Sequence, residues 1–360
     1  MTARTKGQVH IIGSGLLGTS IGLTLRKIGV DISLEDSSPA TLKLAIDFGA
    51  GRELRPEDDV SLVVVCVPPD AAADKVLEAL ERFPNAAVTD VASVKSAILE
   101  TVRKKAEESF RYVGSHPMAG REKGGALNGR PDLFVGRPWV IITDEAAETE
   151  VINRVEALAL DLGATTVRMS AAEHDSAVAL VSHTPQLLAS LLAARLVDAD
   201  ESALGLSGAG LRDTTRIAAS DPALWLQIVS ANSERLVPIL KHFEQDLTKL
   251  ISALDEPGAT GSLSVIAAAL SKGNLGIARI PGKHGGNSTS YARVTVMIDD
   301  KPGELARLLT EIGDAGINLE DLSLDHASGA WIGLVELSVL PETETELIQL
   351  LSKKNWKLAG

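Results

Sequence analysis

Residues 114–120 read Gly-Ser-His-Pro-Met-Ala-Gly and set a histidine, His116, in a loop framed by Pro117 and by glycines at 114 and 120. An imidazole with its ordinary pKa near ~6.5 is neutral at physiological pH and can take up a proton. Far upstream, Gly13-Ser-Gly15-Leu16-Leu17-Gly18 falls between an apolar strand pattern and a helical one. That context makes the three glycines a dinucleotide-binding fingerprint. Gly13 serves the tight turn, Gly15 the close approach of a pyrophosphate, and Gly18 the packing of helix on strand. The pyrophosphate would rest on the first helical turn, at Leu16 and Leu17, where free amides and the dipole favour negative charge. Together the two segments describe a proton acceptor beside a nicotinamide, the pairing that oxidation of an alcohol requires.

Asp36 ends the second strand, placed to accept a hydrogen bond from a ribose 2′-hydroxyl. A carboxylate there repels a 2′-phosphate, and residues 37–42 contain no Lys or Arg to hold one, so NAD is expected rather than NADP. Glu35, one residue back, is the alternative acid. Asp90-Val-Ala-Ser93-Val-Lys95 follows another strand and opens a helix, at the sheet edge where ligands of open α/β folds bind. Ser93 reads as a helix N-cap, a hydroxyl facing the cleft, or both; Lys95 reads as a solvated helix residue or a ligand contact. His174-Asp175 begins a long helical pattern. On it His183 and Gln186 stand three apart and face the same way, with Pro185 between them removing a backbone hydrogen bond. Arg212 and Arg216, with an acid and two threonines, follow a glycine-containing loop and suit capture of a carboxylate. Arg212 has Asp213 beside it as a local partner, so Arg216 is the expected substrate-facing cation.

The elements that must position these groups alternate over residues 8–168 in a βαβ rhythm. Gln8–Ile12, Asp31–Leu34, Ser61–Val67, Ala86–Asp90, Arg111–Val113, Pro138–Thr143 and Thr165–Arg168 read as strands. Helical spacing falls between them, and Ser61–Val67 is apolar on both faces, as in the middle of a parallel sheet. A doubly wound α/β domain over 1–170 is expected. From Ala171 the strand signals stop, and 171–280 reads as an all-helical domain with Glu173–Val197 as one long helix interrupted by Pro185. So much apolar helical surface needs covering, and a homodimer covers it economically. Residues 281–290 are rich in Gly and small polar residues and read as a linker. Residues 291–360 repeat the order βαββαβ of a small ferredoxin-like module.

Bulk properties narrow the setting. A chain of 360 residues with 45% apolar composition has room for two or three cored domains. A formal net charge of −13 argues against nucleic acid or an anionic membrane as the main partner. No apolar run is expected to reach the roughly 18 residues that span a bilayer, and Met1–Gly7 is polar. Cys66, the single cysteine, lies in an apolar strand and reads as an inert thiol in a reducing cytoplasm.

The motifs GSGLLG, DVASVK, GSHPMAG, HD, SHTPQ and LRDTTRIAASDPALW, taken in order, closely resemble the prephenate dehydrogenase family of tyrosine biosynthesis over residues 8 to 255. The segment Asp300-Lys-Pro-Gly303 and the turn Gly316-Ile-Asn318 resemble an ACT domain. The resemblance implies a Rossmann-like NAD-binding domain, a helical dimerisation domain and a C-terminal ACT regulatory domain. It implies NAD-dependent oxidation of prephenate with loss of carbon dioxide, giving 4-hydroxyphenylpyruvate, without a metal. His116 then matches the proton acceptor, Ser93 a residue hydrogen-bonding in the same site, and Arg216 the anchor of a substrate carboxylate. His183, Gln186 and Arg212 complete the expected substrate set. Asp300, Gly303, Gly316 and Asn318 mark where such modules bind an amino acid, with L-tyrosine the expected effector; the module would otherwise serve only as dimer surface. Gln186 stands where many members have a histidine. An amide cannot become cationic, which weakens attraction for the pyruvyl carboxylate of prephenate and brings arogenate forward as the alternative substrate. A β-hydroxyacid dehydrogenase would carry a lysine on the long helix, where this chain has His183 and Gln186. A sensor without activity would have lost the glycines or His116, and all are present.

Overall fold

The computed structural model describes residues 2–120, 124–281, 291–326 and 332–359. Contacts gather into two units, Met1–Leu192 with Ile217–Lys241, and Ala193–Arg216 with His242–Gly360. The helical stretch between 171 and 280 is thus shared between them.

In the first unit the elements run β1 (Gln8–Ile12), α1 (Leu16–Lys27), β2 (Ile32–Glu35), α2 (Pro39–Asp47), β3 (Arg52–Glu53), β4 (Val60–Val65), α3 (Pro69–Arg82), β5 (Ala87–Asp90) and α4 (Ser96–Lys105). The five strands form a parallel sheet in the order β3-β2-β1-β4-β5. Its central strands are buried on both faces. Val9, Ile11, Leu62 and Val64 pack with Ile21 and Leu25 of α1, while Ile12, Val63 and Val65 pack with Val76 and Leu80 of α3. This two-sided burial explains the unbroken apolar run of β4.

The chain continues through β6 (Ser115–Pro117), β7 (Pro138–Ile142), α5 (Thr149–Asp161) and β8 (Thr165–Met169), a second sheet ordered β6-β7-β8. Arg111–Val113, expected as a strand, is not one: only Tyr112 bridges to Val88, and Ser109–Arg111 is a 3-10 turn. The strand lies just beyond it. His116 pairs opposite Val140 in an antiparallel ladder rather than sitting in a free loop. Arg111 instead closes the end of α3. Its guanidinium is buried and donates to the carbonyls of Leu80 (2.7 Å), Phe83 (3.0 Å) and Ala86 (2.8 Å). Arg111→Ala is expected to lower unfolding stability by about 2–4 kcal/mol, because three buried carbonyls lose their donors together. A denaturant titration that shows no shift in midpoint would refute this.

The first unit is completed by α6 (Ala171–Val178), a π-helical turn (Ala179–His183), α7 (Thr184–Ala194), and, after α8 (Glu201–Leu204) and α9 (Ala209–Thr215) of the second unit, by α10 (Pro222–Ala231) and the start of α11 (Ser233–Asp255). The helical run Ala171–Ala194 is long and apolar enough, by length and composition alone, to cross a membrane, contrary to the sequence expectation. That expectation overlooked residues 177–194, which contain no Asp, Glu, Lys or Arg. The run is not a single α-helix either, since the π turn divides it.

The second unit holds α8, α9, the remainder of α11, α12 (Ser262–Ile277) and then β9 (Ala292–Asp299), α13 (Glu304–Asp314), β10 (Asp321–His326), β11 (Ile332–Val339), α14 (Glu344–Lys353) and β12 (Lys357–Ala359). The last four strands pair antiparallel in the order β10-β11-β9-β12. That is the βαββαβ arrangement, cored by Val296, Leu308, Ile312, Val335, Leu337 and Leu347. Most of the expected linker, residues 282–290, lies outside the described residues.

Candidate active site

The β1–α1 turn is built by steric exclusion. Gly13 has φ +97°, and a Cβ there would collide with the Cys66 carbonyl. A Cβ on Gly18 would collide with the Gly13 carbonyl. Over Gly15, by contrast, there is open space. Gly15 is also the N-cap of α1, with no side-chain cap and no acid in the first turn, so the amides around Leu16 and Leu17 face that space without a protein carboxylate. This cradle fits a dinucleotide pyrophosphate. The Cys66 thiol beside it is held well above its ordinary pKa by burial, with the Asp90 charge adding to the effect, and is no nucleophile.

The two candidate acids separate cleanly. Asp36 turns to the glycine loop: it accepts from the Ser14 amide (2.7 Å) and hydroxyl (3.0 Å), and from the Ser38 amide (2.8 Å). Glu35 accepts from Arg82 (2.6 Å) and lies 3.5 Å from His10, along the sheet face. Asp36 is the acid at the cradle.

On the loop after β5, Ser93 is half-buried and is not the cap of α4. Lys95 occupies the N-cap position and offers no side-chain cap. The carboxylate of Asp175 reaches across from α6 instead, accepting from the amides of Lys95 and Ser96 at 2.8 Å each. Lys95 is no solvated helix residue either. It is 1% exposed, paired with the fully buried Asp90, and its ammonium donates to the Ser115 carbonyl at 2.8 Å. The Tyr112 hydroxyl donates to the other oxygen of Asp90 at 2.6 Å. These partners fix the backbone immediately before His116.

His116 is half-buried. Its Nδ1 lies 2.9 Å from Nε2 of His174, and Nδ1 of His174 lies 2.8 Å from Asp175. Burial holds His116 well below its ordinary pKa, and the neighbouring His174, Lys95 and His183 push it the same way, so the ring is uncharged at neutral pH. His183 is lowered to about 4, chiefly by burial. It faces the edge of Trp225 at 6.0 Å, and its Nδ1 lies 3.2 Å from Asn232 Nδ2. The Asn232 amide also donates to the Asp175 carbonyl at 2.8 Å. Gln186 is buried beside it and meets the Ser190 and Ser220 hydroxyls at 3.5 Å.

The π turn explains how His174 and His183 share one site. Nine α-helical residues rotate a side chain by about 900°, onto the opposite face. One π turn absorbs a residue, leaving about 80°, so both rings face inward. Pro185 supplies the cause, having no N–H for the carbonyl four residues back, and the Thr184 hydroxyl donates to the Ala179 carbonyl at 2.7 Å.

The first unit thus assembles Gly13, Gly15, Gly18, Asp36, Ser93, His116, His183 and Gln186. Arg212 on α9 and Arg216 just after it belong to the second unit, where both are exposed. Sequence reasoning read Lys95 as a solvated residue or a ligand contact, quoted Asp90, His174 and Asp175 without giving them a role, and missed Asn232. The adjacent His174-Asp175 pair was a visible signal; Asn232 offered none.

A dinucleotide cradle and an uncharged histidine in one unit make this an NAD-dependent dehydrogenase. Residues 21–168 match the family described as "Prephenate dehydrogenase, nucleotide-binding domain", and residues 170–264 match "Prephenate dehydrogenase, dimerization domain". The chain belongs to the prephenate dehydrogenase family. "Probable prephenate dehydrogenase NovF" of Streptomyces niveus is 35% identical over 353 residues, 96% of this chain and 98% of that one. The crystal structure of prephenate dehydrogenase from A. aeolicus in complex with hydroxyphenyl propionate and NAD+ superposes with TM-score 0.66 at 26% identity, covering 76% of this chain and 98% of that chain. Synechocystis arogenate dehydrogenase gives TM-score 0.61 at 25% identity, covering 74% and 99%.

Proposed function

We propose that this chain oxidises prephenate with decarboxylation to 4-hydroxyphenylpyruvate, in L-tyrosine biosynthesis in the cytoplasm. The supporting observation is His116, kept uncharged and braced by His174 and Lys95 within the unit that carries the cofactor cradle. NAD, when bound, supplies the hydride acceptor. Gly13, Gly15, Leu16, Leu17 and Gly18 hold its pyrophosphate, and Asp36 takes a ribose hydroxyl. His116 removes the proton of the ring alcohol, while Ser93 hydrogen-bonds in the same site. Arg216 and Arg212 are the proposed anchors of the substrate's carboxylates, and His183 and Gln186 the proposed substrate contacts of the first unit. Loss of carbon dioxide aromatises the ring and makes the step one-way. Following NADH absorbance with prephenate and with arogenate tests the reading, and silence with both refutes it. The second reading, arogenate, is favoured by Gln186, whose buried amide cannot supply a cation to the substrate side chain.

Asp36→Ala is expected to weaken NAD+ binding by about 1–2 kcal/mol and narrow the preference over NADP+. An unaltered preference would return the role to Glu35. A homodimer fits the exposed apolar side chains of the second unit, among them Leu247, Ile251, Leu263, Leu270 and Leu275. Tyrosine is the proposed effector at Asp300, Gly303, Gly316 and Asn318. Gly303 and Gly316, both at positive φ, stand at opposite ends of α13. That helix spans about 16 Å, so a tyrosine touching both turns needs two copies of the module. Removing residues 282–360 is expected to abolish tyrosine inhibition while uninhibited turnover persists; unchanged inhibition sinks the effector assignment.

A further inference from the structure

We propose that His174 and Asp175 are positioning residues that fix the tautomer of His116, leaving its Nε2 bare to receive the proton. The inference rests on the reading of His116 as the base. An ionised carboxylate only accepts. Asp175 accepts from His174 Nδ1, from the Lys95 amide and from the Ser96 amide, each at 2.8 Å. Burial alone would raise its pKa, yet these bonds outweigh burial and hold the acid well below the usual carboxylate range. His174 Nδ1 therefore carries a hydrogen. A neutral ring has one, so His174 Nε2 is an acceptor, and at 2.9 Å it takes the hydrogen of His116 Nδ1. The proton of His116 is thereby committed to the side away from the substrate.

The same carboxylate does a second task. His174 and Asp175 are 0% and 2% exposed. By capping α4, Asp175 ties α6, which carries His174, to the helix start that carries Lys95, and Lys95 holds the Ser115 carbonyl beside His116. The base is thus braced from its ring and from its backbone by one acid.

The test uses the full-length chain with 15N-labelled histidine. Imidazole NMR of the unaltered protein is expected to show His116 protonated at Nδ1. In Asp175→Asn the carboxylate charge is lost and one of its three donors loses its acceptor, so the hydrogen on His174 Nδ1 is held less firmly and the tautomer of His116 is no longer fixed. We expect kcat to fall on the order of 10²–10³-fold, with KM and NAD+ affinity within about threefold. His174→Phe keeps the Asp175 cap on α4 and tests the relay if Asp175→Asn fails to fold. It is expected to retain its melting temperature and lose on the order of 10–10² in kcat. His116 found protonated at Nε2 in the unaltered protein, a doubly protonated His174, or undiminished kcat in His174→Phe would each overturn the proposal. His116→Asn separates the two readings, since full activity there removes the base assignment while the NMR result still reports the relay.

Discussion

His116→Asn is expected to lower kcat by on the order of 10²–10⁴-fold while leaving NAD+ affinity nearly unchanged. Asparagine keeps a polar group on β6 but has no nitrogen able to take a proton. The cradle at Gly13–Gly18 is separate from this strand, so binding of the dinucleotide is untouched. Steady-state kinetics with isothermal titration of NAD+ reads both quantities, and a variant with normal kcat would refute the assignment. The pH profile carries the same information. His116 acts in its deprotonated form, and burial above all, with Lys95 nearby, lowers its pKa. The acid limb of kcat/KM is therefore expected well below pH 6.5, with activity lost as pH falls through the lowered value. Stability has its own limb. His183 is lowered from 6.5 to about 4. The unfolded chain binds a proton that the folded state refuses, so its contribution is full above pH 6.5 and declines as pH falls towards 4.

Arg216→Ala is expected to raise KM for the substrate by roughly 10- to 150-fold, with a smaller change in kcat. The figure corresponds to about 1.5–3 kcal/mol for a charge-assisted hydrogen bond to a carboxylate. Arg216→Lys restores charge without the planar fork and is expected to recover only part of the loss. A normal KM in the alanine variant would move the anchoring role to Arg212, whose own substitution would then show the effect.

The glycine cradle was legible in the sequence because hard-sphere exclusion leaves glycine alone at Gly13 and Gly18. The βαβ rhythm was legible for a similar reason, since strands buried on both faces, such as β4, admit nothing but apolar residues. His116 was found but mislaid: flanking glycines and Pro117 suggest a loop, while the edge of β7 captures the segment as a strand. Tyr112 and Val113 looked like a strand because they are apolar and buried, yet their burial serves the Arg111 cap and the Asp90 cluster. Lys95 reads as a surface cation in any local window. Its partner Asp90 sits before the helix, and the acid capping that helix comes from 80 residues further along the chain. Pairings over such separations leave no local pattern. The π turn was hidden because a period of 3.6 was assumed through it, although Pro185 marked the place.

A helix that carries one residue more than its bonding frame can be edited by a single codon. Losing one residue of this turn would let a regular helix run through with the downstream faces unrotated, because the π turn has already absorbed that residue. His183 and Gln186 would keep their inward faces while the backbone gained regular bonding. The pocket thus tolerates the loss of the extra residue, whereas a change that restored α-helical bonding at full length would swing His183 and Gln186 by about 100° and out of it.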